Sequence, residues 1–286
     1  MKLGIVGLGI VGSAIKFGFE KIGHKVSIHD LKLSTKLEDV IDSEIIFLCL
    51  PTPSRSDGAC DISILENVVS DICKLRKEMP FKTTDDLKVK LPRARQIIAI
   101  KSTIPPGTTE YFQNKYINPL NGLHICHNPE FLRERCAVTD FTENQDLCVI
   151  GTTSDWVFDK MVKAHGKLPK NIVQVTPKEA EMVKLFNNAF NACRITFANS
   201  FYEICQKLDV NYNNVKNSVV NIKHIPDYYL DVNENLRGFI GVCLPKDLKS
   251  LMFLVEENKI DVEFFKNIFN ENNKYKATVI PGMRNE

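Results

Sequence analysis

The feature that most restricts the fold of this chain is a glycine run close to its start. Gly7-Leu8-Gly9-Ile10-Val11-Gly12 follows directly on the apolar Leu3-Gly4-Ile5-Val6 and opens a stretch of helical character. A strand, a G-x-G-x-x-G turn and a helix make the first half of a βαβ unit that binds a dinucleotide. One glycine permits the tight turn, one lets the backbone approach a pyrophosphate, and one lets helix pack on strand. The helix N-terminus then offers N–H groups to the phosphates, which assigns Gly7, Gly9, Ile10, Val11 and Gly12 to the cofactor. A bare glycine pattern is a weak signal, but Asp30 closes the next strand at about the expected 20-residue offset, where its carboxylate accepts both ribose hydroxyls. That charge repels a 2′-phosphate and favours NAD over NADP. Lys32 and Lys36, just beyond, soften the exclusion.

The rest of the first half supports a sheet around this turn. Short apolar runs rich in Ile and Val occur at residues 3–7, 26–30, 45–50, 97–101, 123–127, 148–151 and 172–175. Continuous rather than alternating apolarity is what strands buried on both faces require. Helical stretches between them imply right-handed crossovers, and hence an α/β, Rossmann-like doubly wound and mainly parallel sheet. The charged segment 81–95 contains Pro92 and reads as a surface loop or insertion.

The pattern changes at Thr176. Thr176-Pro177-Lys178-Glu179 is a capping box with Pro at the first helical position. No Pro or Gly follows until after Leu208, so a long helix is expected, then a second at about 212–222 and a third starting at Pro245. Two domains result, an NAD-binding domain at 1–176 and a smaller all-α domain at 177–286. With 286 residues, and roughly 100–200 per domain, both have room for a core.

Composition excludes several classes. The net charge is +2, which gives no reason to expect nucleic acid or an acidic membrane as partner. No apolar run approaches the ~20 residues of a membrane span, and Met1 leads straight into the first strand without a signal-peptide layout. The nine cysteines are odd in number and include no C-x-x-C pair, so neither a disulfide framework nor a structural zinc site is expected. They read as reduced thiols of a cytoplasmic protein without a metal.

Two groups of residues in the second half carry chemistry. Lys184 and Asn188 share one helix face, and Glu181 and Asn191 extend that stripe. Taken alone, the stripe reads more simply as a solvated face. Cys243 stands just before Leu244-Pro245-Lys246-Asp247, so a helix start and a nearby ammonium favour its thiolate. Asp247, four residues on, is placed to act as a base or to order water.

With these residues in hand, the chain resembles the UDP-glucose/GDP-mannose dehydrogenase family. The matching stretches are Gly7–Gly12, Cys49-Leu50-Pro51-Thr52-Pro53, Lys101-Ser102-Thr103-Ile104-Pro105-Pro106-Gly107-Thr108, Asn128-Pro129-Glu130-Phe131-Leu132-Arg133-Glu134, Glu181-x-x-Lys184-x-x-x-Asn188, and Gly238 through Asp247. The resemblance implies oxidation of a sugar C6 alcohol to a carboxylate with two NAD⁺, on a sugar nucleotide of which UDP-glucose is the first choice. It implies that Cys243 forms a thiohemiacetal and then a thioester, and that Lys184 and Asn188 stabilise oxyanions. Thr103, Glu130 and Asp247 would hold or activate water, and Glu134 is a further acid/base candidate. Phe131, Leu132, Phe239 and Gly241 would contact substrate together with Lys184 and Asn188. Pro51, Thr52, Thr103 and Lys246 would border the cofactor. A homodimer through the long helix is implied as well.

The chain also departs from the family. Ile240 stands where the family has a second glycine, Val242 where a small or polar residue is common, and Arg135 where a glycine is usual. Asp227 falls near the place of a family arginine that reaches a neighbouring subunit's substrate. The family's third, nucleotide-covering domain is expected to be absent, or supplied by a separate chain. Two other readings therefore stay open: a two-electron dehydrogenase of the β-hydroxyacid type, and a catalytically impaired protein that binds NAD or a partner.

Overall fold

The computed structural model describes residues 1–78, 95–117, 122–241 and 243–275. The chain forms two compact units: Met1–Pro53 with Asp61–Lys184, and Ser54–Cys60 with Leu185–Glu286.

The first unit is built on seven strands, β1 (Lys2–Val6), β2 (Lys25–His29), β3 (Ile45–Leu48), β4 (Gln96–Ile100), β5 (Leu123–His127), β6 (Leu147–Gly151) and β7 (Asn171–Val175). They lie in the order β2-β1-β3-β4-β5-β6-β7. Every neighbouring pair is parallel except β5 and β6, which meet through one antiparallel bridge, His127 opposite Gly151. The expected Rossmann-like, mainly parallel sheet is therefore present, with each strand within a residue or two of its expected limits. Alternate residues serve opposite faces, as strand geometry dictates. On one face Leu3, Ile5 and Phe47 pack with Ile15 and Phe19 of α1 (Ile10–Lys21), Phe141 of α4 (Ala137–Thr142) and Met161 of α5 (Asp155–His165). On the other, Val6, Leu48 and Ile100 pack with Val69 and Ile72 of α2 (Ser63–Glu78) and Phe112 of α3 (Thr108–Tyr116). A fully buried side chain of this size contributes about 1.5–3 kcal/mol, so the two layers hold the sheet from both sides. Of the segment 81–95, expected as a loop or insertion, residues 81–94 lie outside the described residues.

Because β1 sits between β2 and β3, the chain leaves β1 toward one edge and β3 toward the other. The crevice at such a switch point is where open α/β sheets bind ligands. Both the Gly7–Gly12 turn and the Cys49–Thr52 segment start there.

Helix α6 (Pro177–Lys207) begins at the expected capping box. Glu179 Oε2 accepts the Thr176 N–H at 2.8 Å, and Thr176 Oγ1 accepts the Glu179 N–H at 3.4 Å. The second unit takes most of α6 together with α7 (Tyr212–Val219), α8 (Cys243–Glu257) and α9 (Phe264–Asn272). Helix α7 stops three residues short of the expected end at 222. Helix α8 starts two residues before Pro245, which makes Cys243 its first residue. Ala189, Ala192, Phe239, Leu248, Leu251 and Ile268 form the core of this unit. Ser54–Cys60 belongs to the same unit, with Gly58 against Lys249 of α8. No helix among the described residues is long and apolar enough to cross a membrane.

Helix α6 presents its two faces contrary to the solvated-face expectation. Glu181, Lys184 and Asn188 are buried, at 0%, 5% and 6% exposure. The apolar Met182, Phe186, Phe190, Phe197, Phe201, Ile204 and Leu208 are exposed instead, Phe186 at 71%. The polar side can turn inward because each buried group has a partner, described next, and a buried polar group with its hydrogen bonds made is no longer penalised.

Candidate active site

The glycine turn after β1 is shaped by contacts within the protein at two of its three glycines. Gly7 has φ of 89°, and a Cβ there would meet the Cys49 carbonyl oxygen at 2.4 Å. A Cβ on Gly12 would lie 1.9 Å from the Gly7 carbonyl oxygen, so helix and turn touch through it. A Cβ on Gly9 would meet nothing within 4 Å. Its lack of a side chain serves no packing, which fits a cradle left open for a phosphate at the N-terminus of α1. Asp30 completes this half: its Oδ2 accepts the Leu8 N–H at 2.6 Å and its Oδ1 the Lys32 N–H at 2.8 Å. Those two backbone donors hold the carboxyl below its ordinary pKa, so it stays charged at the end of β2.

Gly9→Ala is expected to leave the melting temperature unchanged and to weaken NAD binding by at least about tenfold, or about 1.4 kcal/mol. Gly12→Ala, which forces backbone apart, is expected to lower both. Calorimetric titration with NAD and thermal melts of the two variants read this out.

Across the crevice, the ends of β3 and β4 are stitched together. Ser102 Oγ accepts the Leu50 N–H at 3.0 Å and donates to the Leu50 C=O at 2.7 Å. Thr52 Oγ1 donates to the Thr103 C=O at 2.8 Å. Thr52 is buried, Thr103 half-buried and Pro51 exposed. Beyond Thr103, Glu181 of α6 holds the start of α3. Its Oε2 accepts the Gly107 N–H at 2.5 Å, and its Oε1 accepts the Thr109 N–H at 2.8 Å and the Thr109 hydroxyl at 2.6 Å. Burial raises the pKa of Glu181 against these hydrogen bonds. Glu181 is thus a helix cap reached from another helix.

Lys184, one turn further along α6, turns to the segment after β5. Its Nζ lies 3.3 Å from Glu130 Oε1 and 5.6 Å from the Phe131 ring centroid. Glu130 Oε2 accepts the Leu132 N–H at 2.6 Å, which bends the chain around the carboxylate. Lys184, Glu130, Phe131 and Leu132 therefore form one cluster. Glu134 begins a separate 3₁₀ turn, Glu134–Cys136, and is partly exposed. The neighbouring Arg133 is committed to Asp140, with Nη2 to Oδ1 at 2.6 Å and Nε to Oδ2 at 2.9 Å.

Beneath this cluster lies a buried polar knot that the sequence does not announce. Lys101 Nζ donates to Asn128 Oδ1 at 3.1 Å, His165 Nε2 lies 3.0 Å from the same oxygen, and Asn128 Nδ2 donates to the Val149 C=O at 2.7 Å. The knot fixes Asn128 and so the start of Asn128-Pro129-Glu130. His127 beside it is fully buried with neither ring nitrogen bonded, and burial, reinforced by the charges of Lys101 and Lys184, pushes its pKa down to about 3. His127 is neutral at any ordinary pH.

In the second unit, Asp247 of α8 is 2% exposed and engaged on both oxygens. Asn188 Nδ2 donates to Oδ2 at 2.5 Å and Lys246 Nζ to Oδ1 at 2.6 Å. Burial opposes the charge of Lys246, but the Asp247 carboxylate outweighs it and the ammonium's pKa is raised. Lys246 and Asp247 therefore stand as a buried ion pair that anchors Asn188. Cys243 is exposed at the first position of α8, and none of the nine cysteines is in a disulfide. The Phe239 side chain is 3% exposed and belongs to the core, while Ile240 and Gly241 are partly exposed.

Residues 26–168 match the UDP-glucose/GDP-mannose dehydrogenase family, NAD binding domain, and residues 178–274 match the central domain of the same family. The chain belongs to the UDP-glucose/GDP-mannose dehydrogenase family. The UDP-glucose 6-dehydrogenase AglM of Haloferax volcanii is 28% identical over 88% of this chain and 65% of its own length. The putative UDP-glucose 6-dehydrogenase YtcA of Bacillus subtilis is 27% identical over 91% of this chain and 65% of its own. The chain thus spans about 65% of the length of these curated relatives. A UDP-glucose dehydrogenase from Pyrobaculum islandicum shares the fold, with a TM-score of 0.83 at 24% identity over 96% of this chain and 68% of its own. The match to the NAD binding domain gives the chain its cofactor, NAD.

Proposed function

We propose that the protein is an NAD-dependent nucleotide-sugar 6-dehydrogenase that oxidises the C6 alcohol of a UDP-sugar, UDP-glucose first among them, to the carboxylate. The observation that carries this reading is a nucleophile set with no use in a simple alcohol oxidation. Cys243 is exposed at a helix start, beside the buried Lys246–Asp247 pair that holds Asn188. The names of the two relatives above support UDP-glucose.

The chain's residues account for the steps as follows. Gly7, Gly9, Ile10, Val11, Gly12 and Asp30 would hold NAD, with Pro51, Thr52 and Thr103 bordering it, and the bound cofactor would supply the hydride acceptor for each of two oxidations. Cys243 Sγ adds to the aldehyde carbon formed first, giving a thiohemiacetal. Loss of the hydroxyl proton and of hydride from that carbon, the hydride to the nicotinamide, leaves a thioester, and water cleaves it to the acid and the thiol. Lys184 and Asn188 supply donors to the oxyanion at each stage. Glu130, held by Lys184, and Thr103 order the water, and Asp247 fixes Asn188. Phe131, Leu132 and Gly241 contact the sugar. Initial rates of NADH formation on UDP-glucose, GDP-mannose and UDP-N-acetylmannosamine test the proposal. Turnover is expected with at least one, UDP-glucose foremost, and none with any would contradict it.

The working form is a homodimer that covers the exposed stripe of α6. Met182, Phe186, Phe190, Phe197, Phe201, Ile204 and Leu208 recur at steps of mostly four and three residues, one line along the helix. A monomer rarely leaves so large an apolar patch in water, and an identical stripe on a second copy covers it self-complementarily. Light scattering is expected to give a dimer at micromolar concentration, and a monomer when Phe197 and Phe201 are both changed to Glu. A monomeric wild type would contradict the assignment.

A further inference from the structure

The segment that leads into Cys243 is held by two side-chain amides, each from a different helix. Asn272, the last residue of α9, meets the main chain of Phe239 twice. The Phe239 N–H donates to Asn272 Oδ1 at 2.7 Å, and Asn272 Nδ2 donates to the Phe239 C=O at 3.0 Å. The amide takes the place that a neighbouring strand would occupy. Asn199 of α6 holds the two residues before, its Oδ1 accepting the Gly238 N–H at 3.1 Å and Arg237 Nε at 2.9 Å. The Arg237 guanidinium also lies over the Tyr202 and Tyr275 rings, at 4.9 and 5.3 Å from their centroids.

Both amides are buried, Asn199 at 1% and Asn272 at 8% exposure. Helix α9 buries Ile268 and Asn272 one turn apart, so an apolar side chain at 272 would suit packing alone. A buried amide is tolerated only where its donors and acceptors are used, and those of Asn272 are used on the backbone of Phe239. Gly238 is fitted to the arrangement, since it has φ of 59° and a Cβ there would lie 2.9 Å from Asn272 Oδ1. The Phe239 side chain completes the anchor by entering the core with Ala189, Ala192, Leu248 and Ile268. Phe239 thus spends its backbone and its ring on fixing the segment, and Ile240 and Gly241, one and two residues on, remain to meet a ligand.

We propose that Asn272 is a positioning residue that sets where Ile240, Gly241 and the Cys243 thiol are presented, without itself touching substrate. The proposal deepens the reading of Cys243 as nucleophile and rests on it for its kinetic consequence, while its structural consequence is measured independently. Asn272→Ala removes both hydrogen bonds. Asn272→Asp keeps the acceptor, loses the donor and places a carboxylate against the Phe239 carbonyl.

Amide hydrogen exchange on the full chain is expected to show the peptide containing Phe239 exchanging at least tenfold faster in Asn272→Ala, with α7 and α8 unchanged, and a smaller rise in Asn272→Asp. The rate of Cys243 alkylation by iodoacetamide is expected to change at least threefold. With UDP-glucose as substrate, KM is expected to rise about tenfold while the affinity for NAD stays within twofold. Exchange and alkylation both within twofold of wild type, or protection lost evenly across the unit, would overturn the proposal. If the wild type turned over no sugar nucleotide, the assignment of the reaction would fall, and exchange and alkylation would still decide the role of Asn272.

Discussion

Cys243→Ser is expected to lower the rate of uronate formation by at least about 10³-fold, or about 4 kcal/mol of barrier. A serine hydroxyl is a far weaker nucleophile at neutral pH than a cysteine thiol unless a base lies against it. The nearest carboxylate in sequence, Asp247, already has both oxygens engaged by Asn188 and Lys246. The first oxidation, alcohol to aldehyde, does not use the thiol, so the variant is expected to stall at the aldehyde level. Cys243 is exposed, so the substitution leaves the core intact and the melting temperature unchanged. Mass spectrometry of the products measures the effect, and uronate formed at the wild-type rate would contradict it.

Lys184→Ala has the second largest expected effect. Its ammonium is nearly buried, 3.3 Å from Glu130 Oε1 and facing the Phe131 ring. Removing one preorganised donor to a developing oxyanion costs about 10²–10³ in kcat. The substitution also leaves Glu130 without its cation, which disturbs the carboxylate assigned to water. NAD affinity is expected to stay within about twofold, because the glycine turn and Asp30 lie on other elements. Lys184→Arg is not expected to rescue, since a planar guanidinium replaces a compact point charge. Stopped-flow measurement of kcat beside a titration with NAD separates the two effects. A kcat within threefold of wild type would remove Lys184 from the machinery.

The parts legible in the sequence were those encoded locally. The glycine turn, the seven strands and the capping box at Thr176 each need only a few adjacent residues, because continuous apolarity, missing Cβ atoms and a Thr-to-Glu spacing act over short range. Cys243 at a helix start was legible for the same reason, although α8 begins two residues before Pro245. What escaped depends on partners distant along the chain. Glu181 caps α3 from 72 residues away, Asn272 holds Phe239 from 33, and Lys101 meets Asn128 from 27. No periodicity signals such pairs.

The orientation of α6 escaped on different grounds. Its polar stripe reads as the wet face by the usual rule, and only the hydrogen bonds made by Glu181, Lys184 and Asn188 allow it to lie inward while the phenylalanines lie outward. Likewise Ser54–Cys60 joins the second unit through packing, as at Gly58 against Lys249, and carries no local mark of it.

A four-electron oxidation through Cys243 separates the proposed reaction from that of a simple two-electron dehydrogenase. The most direct test supplies a limiting amount of UDP-glucose with excess NAD and runs the reaction to completion. Two NADH per UDP-glucose, with UDP-glucuronate as product and no aldehyde remaining, is the predicted result. One NADH per substrate, with a carbonyl product accumulating, would contradict it.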